Sequence, residues 1–132
     1  MYINITKTSA MTEKTFLTRA EHQVMLALWN LGTNGGFTND ILQNYSKPKP
    51  AYTTLATFLK ILTRKDFVNA EKIGSMLFYT PKVSKEEYFK NLMEKNCDDF
   101  FNNDYAEMIR FVIKNTKLTD EQKELLTNKV TL

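Results

Sequence analysis

The sequence predicts a mainly α-helical fold with a small β-sheet: a winged helix-turn-helix followed by further C-terminal helices. Three observations predict it. Apolar residues recur at helical spacing over residues 18–32 and 50–65. β-forming residues then flank Gly74-Ser75, as in a hairpin. Helical spacing resumes after Ser84. Three helices with a short strand and a hairpin, in this order, are typical of a winged helix.

The chain begins with a segment, residues 1–16, that has no sustained periodicity and is predicted to be a flexible arm. The first helix is predicted over about residues 18–32. Thr18 and Glu21 have the spacing of a capping box, with Thr18 as the N-cap residue. Gly32 is predicted to end this helix.

A very short strand is predicted at Phe37, and Thr38 is predicted to cap the second helix. The segment 46–50 contains two prolines, and each disfavours helical backbone in the residue before it. Pro50 suits the first turn of a third helix, because its missing N–H costs nothing there. The third helix is therefore predicted over about residues 50–65, after a turn longer than the tightest helix-turn-helix connection.

A β-hairpin is predicted next, with strands over about residues 67–73 and 76–80. Gly74-Ser75 supplies a turn of two residues or one more, and Pro81 ends the second strand. We interpret the hairpin as the wing. It completes a predicted winged-helix domain over residues 17–82.

The remaining residues, 83–132, are predicted to form a separate helical region. One long helix covers about residues 84–102, another starts at Tyr105, and the last is opened by Thr119 with Gln122. Their large apolar residues exceed what three short helices can cover by themselves. We therefore expect a second copy of the chain to cover them in a two-fold dimer, although packing within one chain is the alternative.

Several classes of protein are excluded by the composition. One cysteine rules out a disulfide framework or a multi-cysteine zinc site within one chain, and one histidine rules out a histidine-rich metal centre. No apolar run is long enough for a membrane helix or a signal peptide, so we expect a cytoplasmic protein without membrane insertion. The chain shows no phosphate loop, nucleophile elbow or metal motif. We therefore expect no enzyme activity and no cofactor, and regard Cys97 and His22 as structural.

The net charge of +3 is unevenly distributed along the chain. Residues 1–83 carry 10 Lys/Arg and 5 Asp/Glu, whereas residues 84–132 carry 8 Lys/Arg and 10 Asp/Glu. A polyanion would therefore meet the first part of the chain.

The third helix has two contrasting faces. Leu55, Leu59 and Leu62 form an apolar stripe that we expect to be buried. The opposite face carries threonines and cations. A threonine can contact base edges or the thymine methyl in the major groove, and cations contact phosphates. Lys65, just after the helix, adds a cation. The predicted DNA-binding residues are Lys47, Lys49, Thr53, Thr54, Thr57, Lys60, Arg64 and Lys72.

The two alternatives to DNA binding are an amphipathic helix with a merely solvated face and a winged-helix protein-interaction module that never touches DNA. The predicted dimerisation residues in the C-terminal helices are Tyr88, Leu92, Phe100, Phe101, Tyr105, Met108, Ile109, Val112, Leu125 and Leu126.

Three stretches of the chain resemble the penicillinase-repressor (BlaI/MecI/CopY) family of transcriptional regulators. The first is Leu17-Thr18-Arg19-Ala20-Glu21 with Val24-Met25 and Leu28-Trp29. The second is Pro50-Ala51-Tyr52-Thr53-Thr54, continuing to Arg64-Lys65-Asp66-Phe67-Val68. The third is the hairpin that ends Phe78-Tyr79-Thr80-Pro81. The resemblance covers about residues 17–130.

The resemblance implies a winged-helix repressor that dimerises through its C-terminal helices and binds a dyad-symmetric double-stranded DNA operator. The family's base-facing positions fall on Thr53, Thr54 and Thr57. A basic residue common in the family is matched only approximately by Lys60, because Ile61 takes the aligned place.

Two departures from the family pattern concern its regulation. Some members end in a cysteine-rich copper motif, whereas this chain ends Asn128-Lys129-Val130-Thr131-Leu132, so copper sensing is not expected. Other members are cut at an Asn-Phe bond after a signal from a membrane sensor metalloprotease. The nearest equivalent here is Arg110-Phe111, in which arginine replaces asparagine.

Overall fold

A computed structural model describes residues 16–31 and 34–129, with the side chain of Lys129 excluded. The predicted arm therefore lies almost entirely outside the described residues, and so does Gly32, the predicted end of the first helix. The elements are α1 (Arg19–Trp29), β1 (Gly36–Phe37), α2 (Thr38–Gln43), α3 (Tyr52–Arg64), β2 (Val68–Ile73), β3 (Met76–Pro81), α4 (Lys85–Phe101), α5 (Tyr105–Asn115) and α6 (Asp120–Lys129).

The predicted fold class is confirmed, since the described residues form six helices and one small antiparallel sheet. The sheet has the strand order β1-β3-β2. In β1, Phe37 pairs with Phe78 of β3, and their rings meet edge to face at 5.0 Å between centroids. The short strand thus ties the turn before α2 to the hairpin, as a winged helix requires.

The start of α1 confirms the predicted capping box. The Glu21 backbone N–H donates to Thr18 Oγ1 over 3.2 Å, and the Thr18 N–H donates to Glu21 Oε1 over 3.0 Å. Two backbone donors that the helix leaves unpaired are therefore satisfied by one reciprocal pair of side chains.

Two predicted helix starts are wrong by one or two residues. Phe37 is the N-cap of α2, so Thr38 is its first helical residue, and Asp40 Oδ2 accepts from the Phe37 N–H over 2.9 Å. The cap of α3 is Ala51, which places Pro50 before the helix instead of in its first turn. Extended backbone at Ala51 carries the chain out of the proline segment, and helical hydrogen bonds begin only after it.

The hairpin is formed as predicted, with the shorter of the two possible turns. Ile73 pairs with Met76, so Gly74 and Ser75 alone make the connection. Gly74 has a φ of +65°, a backbone conformation that glycine adopts without a steric penalty. Pro81 is the last residue of β3 and pairs with Val68 at the base of the hairpin.

The chain forms two compact units, the first ending at Leu92 and the second beginning at Met93. The predicted boundary after residue 82 falls inside the first unit. The core of the first unit joins α1, α2, α3, the hairpin and the start of α4. Its members are Val24, Met25, Ala27, Leu28, Ile41, Leu55, Leu59, Leu62, Phe67, Val68, Tyr79 and Tyr88.

The first residues of α4 are attached to this core. Tyr88 is buried, and its hydroxyl accepts from the Leu17 N–H over 2.9 Å. The Trp29 indole N–H donates to the Val83 carbonyl over 2.9 Å. The chain segments before α1 and before α4 are therefore held against the helix-turn-helix.

The second unit consists of the end of α4, α5 and α6. Its helix starts are well capped: Asp104 Oδ1 accepts from Glu107 N over 3.1 Å, and Thr119 and Gln122 form the predicted capping box. Among the described residues of this unit, only Cys97 is buried. Burial raises the pKa of the Cys97 thiol, and the nearby Asp104 and Asp98 add to the effect. The thiol therefore stays protonated near neutral pH.

Candidate nucleic-acid interface

The exposed face of α3 carries the residues of this helix that are predicted to bind DNA. Thr53, Thr57, Lys60 and Arg64 follow one another at intervals of four, three and four residues, so they lie in one stripe along the helix, which we call the reading stripe. All of them are exposed, as is Thr54 beside them. On the opposite side the three leucines predicted for the core are completely buried. At about 1.5 Å per residue, the stripe is about 16 Å long.

Thr57 makes a local hydrogen bond that fixes its side chain. Its hydroxyl donates to the Thr53 carbonyl oxygen, one helical turn back, over 3.0 Å. The hydroxyl oxygen can still accept a hydrogen bond. We conclude that Thr57 presents a hydrogen-bond acceptor and a methyl group on the exposed face, both in a fixed orientation.

The beginning of α3 is not capped by a side chain. Ala51, at the N-cap, has no side-chain hydrogen-bond acceptor, and the first helical bond runs from the Leu55 N–H to the Ala51 carbonyl. The backbone N–H groups of the first turn therefore face outward, and the positive end of the helix dipole adds to their attraction for an anion such as a phosphate.

Cations precede this face in the chain, lie on it and follow it. Lys47 and Lys49 lie in the connection before α3, Lys60 and Arg64 on the helix, and Lys72 on β2. All five are exposed. Across residues 16–31 and 34–128, none of the five forms an ion pair with a carboxylate. Each is therefore available to a polyanion without first losing an acidic partner.

The connection that carries Lys47 and Lys49 is fastened to α1. Asn44, the C-cap of α2, donates from its amide nitrogen to the Ala27 carbonyl over 2.8 Å. Ser46 Oγ makes a longer contact of 3.4 Å with Gln23 Oε1. The two lysines therefore follow an anchored turn.

Lys65 is not available in the same way. Its ammonium lies 2.8 Å from Glu21 Oε1, and the side chains of both residues are mostly buried. Burial by itself favours the neutral form of Glu21. The hydrogen bonds from Lys65 and Thr18 and the charge of Lys65 outweigh it, so the pKa of Glu21 lies below its ordinary value of 4.5. The interpretation of Lys65 as a phosphate contact is therefore wrong, because the fold uses this ammonium to join α3 to α1.

The predicted dimerisation residues are divided between the two units. Tyr88 and Leu92 belong to the first, where Tyr88 is a core residue and Leu92 packs partly against the core. The structure therefore already accounts for the burial of these two side chains. The others lie in the second unit.

In the second unit, apolar side chains stay open to solvent. None of the side chains of α5 is buried, although Ile109, Val112 and Ile113 are all apolar and close together. Phe100 at the end of α4 is 76% exposed, and Leu125 on α6 is 56% exposed. Phe101 packs on Phe111 at 5.7 Å between ring centroids. Tyr105 is exposed, and Met108 and Leu126 are half-buried. The unit thus presents an apolar surface.

The bond between Arg110 and Phe111 lies in the middle of α5. The Arg110 guanidinium donates to Glu107 Oε1, with Nε at 3.2 Å, and this contact raises the pKa of Arg110. A protease acts on extended backbone, so cleavage at this bond requires the helix to open first.

The hairpin tip is a feature that the sequence reasoning missed. The sequence pattern marks Ile73, Met76 and Leu77 only as β-forming residues, yet they are 46%, 43% and 40% exposed. Their position next to the Gly74-Ser75 turn could have indicated this, because they lie closer to the turn than Val68 and Tyr79, the buried residues of the two strands.

Within residues 16–31 and 34–128, no three His, Cys, Asp or Glu side chains come together as ligands for a metal ion. Nor does any described helix combine the length and the apolar character needed to cross a membrane.

The fold and this surface define the winged helix-turn-helix class. The sequence model of the penicillinase repressor family matches residues 17–131, so the chain belongs to that family. Its members are transcriptional regulators. A comparison with curated proteins gave no match.

Proposed function

We propose that this protein is a transcriptional repressor that binds a dyad-symmetric DNA operator as a homodimer and blocks the promoter. The observation that carries the proposal is the exposed stripe on α3, where Thr53 and Thr57 share one face with Lys60 and Arg64. Across residues 16–31 and 34–128, neither these two cations nor Lys47, Lys49 and Lys72 form an ion pair with a carboxylate. A repressor that acts in this way works where the DNA is, in the cytoplasm.

The residues of the stripe divide into two roles. Thr53, Thr54 and Thr57 face the base edges of the major groove, where a threonine methyl packs on thymine and its oxygen accepts from adenine or cytosine amines. The cations before, on and after the helix contact phosphates and fix its position on the duplex. The uncapped first turn of α3 offers backbone N–H groups to a further phosphate.

Dimerisation is supported by the exposed apolar residues of α5 and α6. A stable soluble chain rarely leaves such a surface uncovered, and a two-fold interface covers the same residues on both copies. The α3 helices of the two copies, about one turn of the DNA duplex apart, would then fit a palindromic site. Any event that separates the copies releases the operator. Cutting α5 at Arg110-Phe111, for instance by a membrane sensor metalloprotease, is one such event.

The experiment starts with duplexes selected from a random pool by the wild-type protein. Gel-shift titrations over a range of salt then compare Arg64→Ala and Lys60→Ala with Lys117→Ala, an exposed cation on the segment after α5. Each of the first two variants should weaken binding to all duplexes. Each should also reduce the slope of log affinity against log salt by about 0.9 for every phosphate that the variant no longer neutralises.

Lys117→Ala should bind as the wild type does. If Arg64→Ala and Lys60→Ala keep the wild-type slope, α3 is not the DNA-facing helix. If no duplex is selected even at low salt, a protein-interaction module is the better interpretation.

A further inference from the structure

The tip of the β2–β3 hairpin carries an apolar cluster that the proposed function does not use. We define the wing tip as residues 72–77. Three of its side chains, Ile73, Met76 and Leu77, are apolar and about half exposed, and a methyl group added at Gly74 would meet no atom within 4 Å. The tip is thus a narrow, open projection.

The strand pairing shows how these side chains are arranged. Ile73 pairs with Met76, and Lys72 pairs with Leu77. Because paired residues point to the same face of a hairpin and neighbours alternate, Ile73 and Met76 share one face and Lys72 and Leu77 the other. Each face of the tip therefore carries an apolar side chain, and the face with Leu77 also carries the cation Lys72.

The tip lies well beyond the core. Val68 and Tyr79 are buried at the base of the hairpin, whereas residues 71–77 are all exposed. At about 3.3 Å per residue, Met76 lies about 10 Å along the strand from Tyr79. The core gains nothing from the tip's apolar side chains, so packing within the first unit does not explain them.

The hairpin and α3 are also neighbours in the fold. Helix α3 packs on β2, the first strand of the hairpin. From Tyr79 toward the tip, Leu77 is the next residue on the same face of β3. The wing tip therefore projects from a hairpin that packs directly against the helix carrying the exposed threonines and cations.

We propose that the wing tip enters the DNA minor groove beside the site read by α3, and that its apolar side chains wedge into a base step, unstack it and bend the duplex. This rests on the proposed DNA binding. A narrow apolar projection is the shape that minor-groove proteins use to open a base step, and such wedges kink DNA by about 20–90°. Lys72, which forms no ion pair within the part of the chain that the structure describes, would hold a phosphate at the groove edge.

The test uses full-length protein and a duplex selected by it. Permanganate modifies unstacked thymines, and circularly permuted fragments report the bend. Wild-type protein should make at least one thymine outside the major-groove half-site hyperreactive and should bend the fragment. The triple variant Ile73→Thr, Met76→Thr, Leu77→Thr, which keeps β-forming residues, should reduce the reactivity to that of free DNA and abolish most of the bend.

Two further variants separate the wedge from the charge. Met76→Leu keeps an apolar side chain and should keep the hyperreactivity. Lys72→Ala should keep the hyperreactivity too, but should reduce the salt slope by about 0.9, the amount expected for one phosphate.

Wild-type binding without any hyperreactive thymine or bend would overturn the wedge and leave the proposed function intact. So would a triple variant that retains both signals. Failure of the wild-type protein to bind any duplex would instead remove the proposed function and the wedge together. A melting curve of the triple variant within a few degrees of wild type would show that the change at the tip leaves the fold intact.

Discussion

The two units of this chain solve the problem of burying apolar side chains differently. In the first unit, the helices and the hairpin enclose a shared core in which Leu55, Leu59 and Leu62 have no exposed surface. In the second unit, Cys97 alone is buried among the described residues, and α5 buries none of its side chains. The helices of the second unit are capped by side-chain hydrogen bonds. The two units therefore differ in the burial of apolar side chains and not in local hydrogen bonding.

The difference in burial indicates where the stability of each unit comes from. Burial of apolar surface stabilises a fold by about 25 cal/mol for each Å², so the first unit contains its own source of stability. Capping contributes only about 1 kcal/mol per helix end and cannot replace a core. The second unit therefore needs a further apolar surface, which a second copy of the chain would supply. Substitutions in each unit test this contrast.

The largest effect is expected in the core of the first unit. Leu59→Ala removes a completely buried side chain from α3 and should lower the free energy of unfolding by about 2–5 kcal/mol. The same substitution at Leu125, which is 56% exposed, should cost less than about 0.5 kcal/mol when the chain is dilute and monomeric. Urea denaturation followed by circular dichroism measures both values.

The Leu125→Ala cost should grow with protein concentration, since at high concentration the proposed second copy would cover this residue. Equal costs for the two variants at every concentration would contradict the contrast between the units.

The next effect concerns dimerisation. Ile109→Glu places a carboxylate on the apolar surface of α5, and burying it in an interface should weaken the dimer by about 3 kcal/mol, or about 100-fold. Sedimentation equilibrium at micromolar concentration should show a dimer for the wild type and a monomer for the variant. Lys117→Glu changes charge outside the apolar surface and should sediment as the wild type does.

A wild-type monomer at micromolar concentration would refute the dimer proposal. A dimer that survives Ile109→Glu would move the interface away from α5.

A smaller effect is expected from the ion pair between Glu21 and Lys65. The pKa of Glu21 is lower in the folded chain than its ordinary 4.5, so the folded state favours the charged form. The pair should therefore stabilise the fold fully above about pH 5, and this contribution should disappear as the pH falls through the folded pKa. Glu21→Gln keeps an acceptor for the Thr18 N–H but removes the charge.

We expect Glu21→Gln to cost about 1–3 kcal/mol at pH 7 and less at pH 3, because wild-type Glu21 loses its charge as the pH falls through its folded pKa. Denaturation curves at the two pH values measure the difference. A cost that is the same at both would show that Glu21 acts only as a helix cap.

Glu21 also shows what the sequence could and could not predict. Its capping box with Thr18 was predictable, because the partners are three residues apart and interact whatever the rest of the chain does. The bond between Glu21 and Lys65 was not, since 44 residues separate them and only the packing of α3 on α1 brings them together. From the sequence alone, Lys65 therefore cannot be told apart from the cations predicted to contact DNA.

The exposed face of α3 was predictable for a related reason. Leu55, Leu59 and Leu62 define a buried side, and helical geometry then fixes which residues point the other way. The hairpin tip shows the limit of the same approach. Ile73, Met76 and Leu77 have the composition of core strand residues, and only the pairing register places them beyond the core.

The smallest effect is expected at Thr57. Here the comparison is between the hydroxyl and the methyl group of one side chain. Its hydroxyl already donates to the Thr53 carbonyl, so the methyl group is the part most free to contact a thymine. Thr57→Val keeps the methyl and should retain the wild-type base preference, whereas Thr57→Ser removes it and should relax the preference by about 1 kcal/mol or less at one base pair.

Selection of duplexes from a random pool by each variant would measure the preference directly. If Thr57→Val relaxes the preference and Thr57→Ser retains it, the oxygen reads the base instead. The hydroxyl oxygen can then accept from a base amine while its proton stays on the Thr53 carbonyl, which is a different way of using the same exposed face.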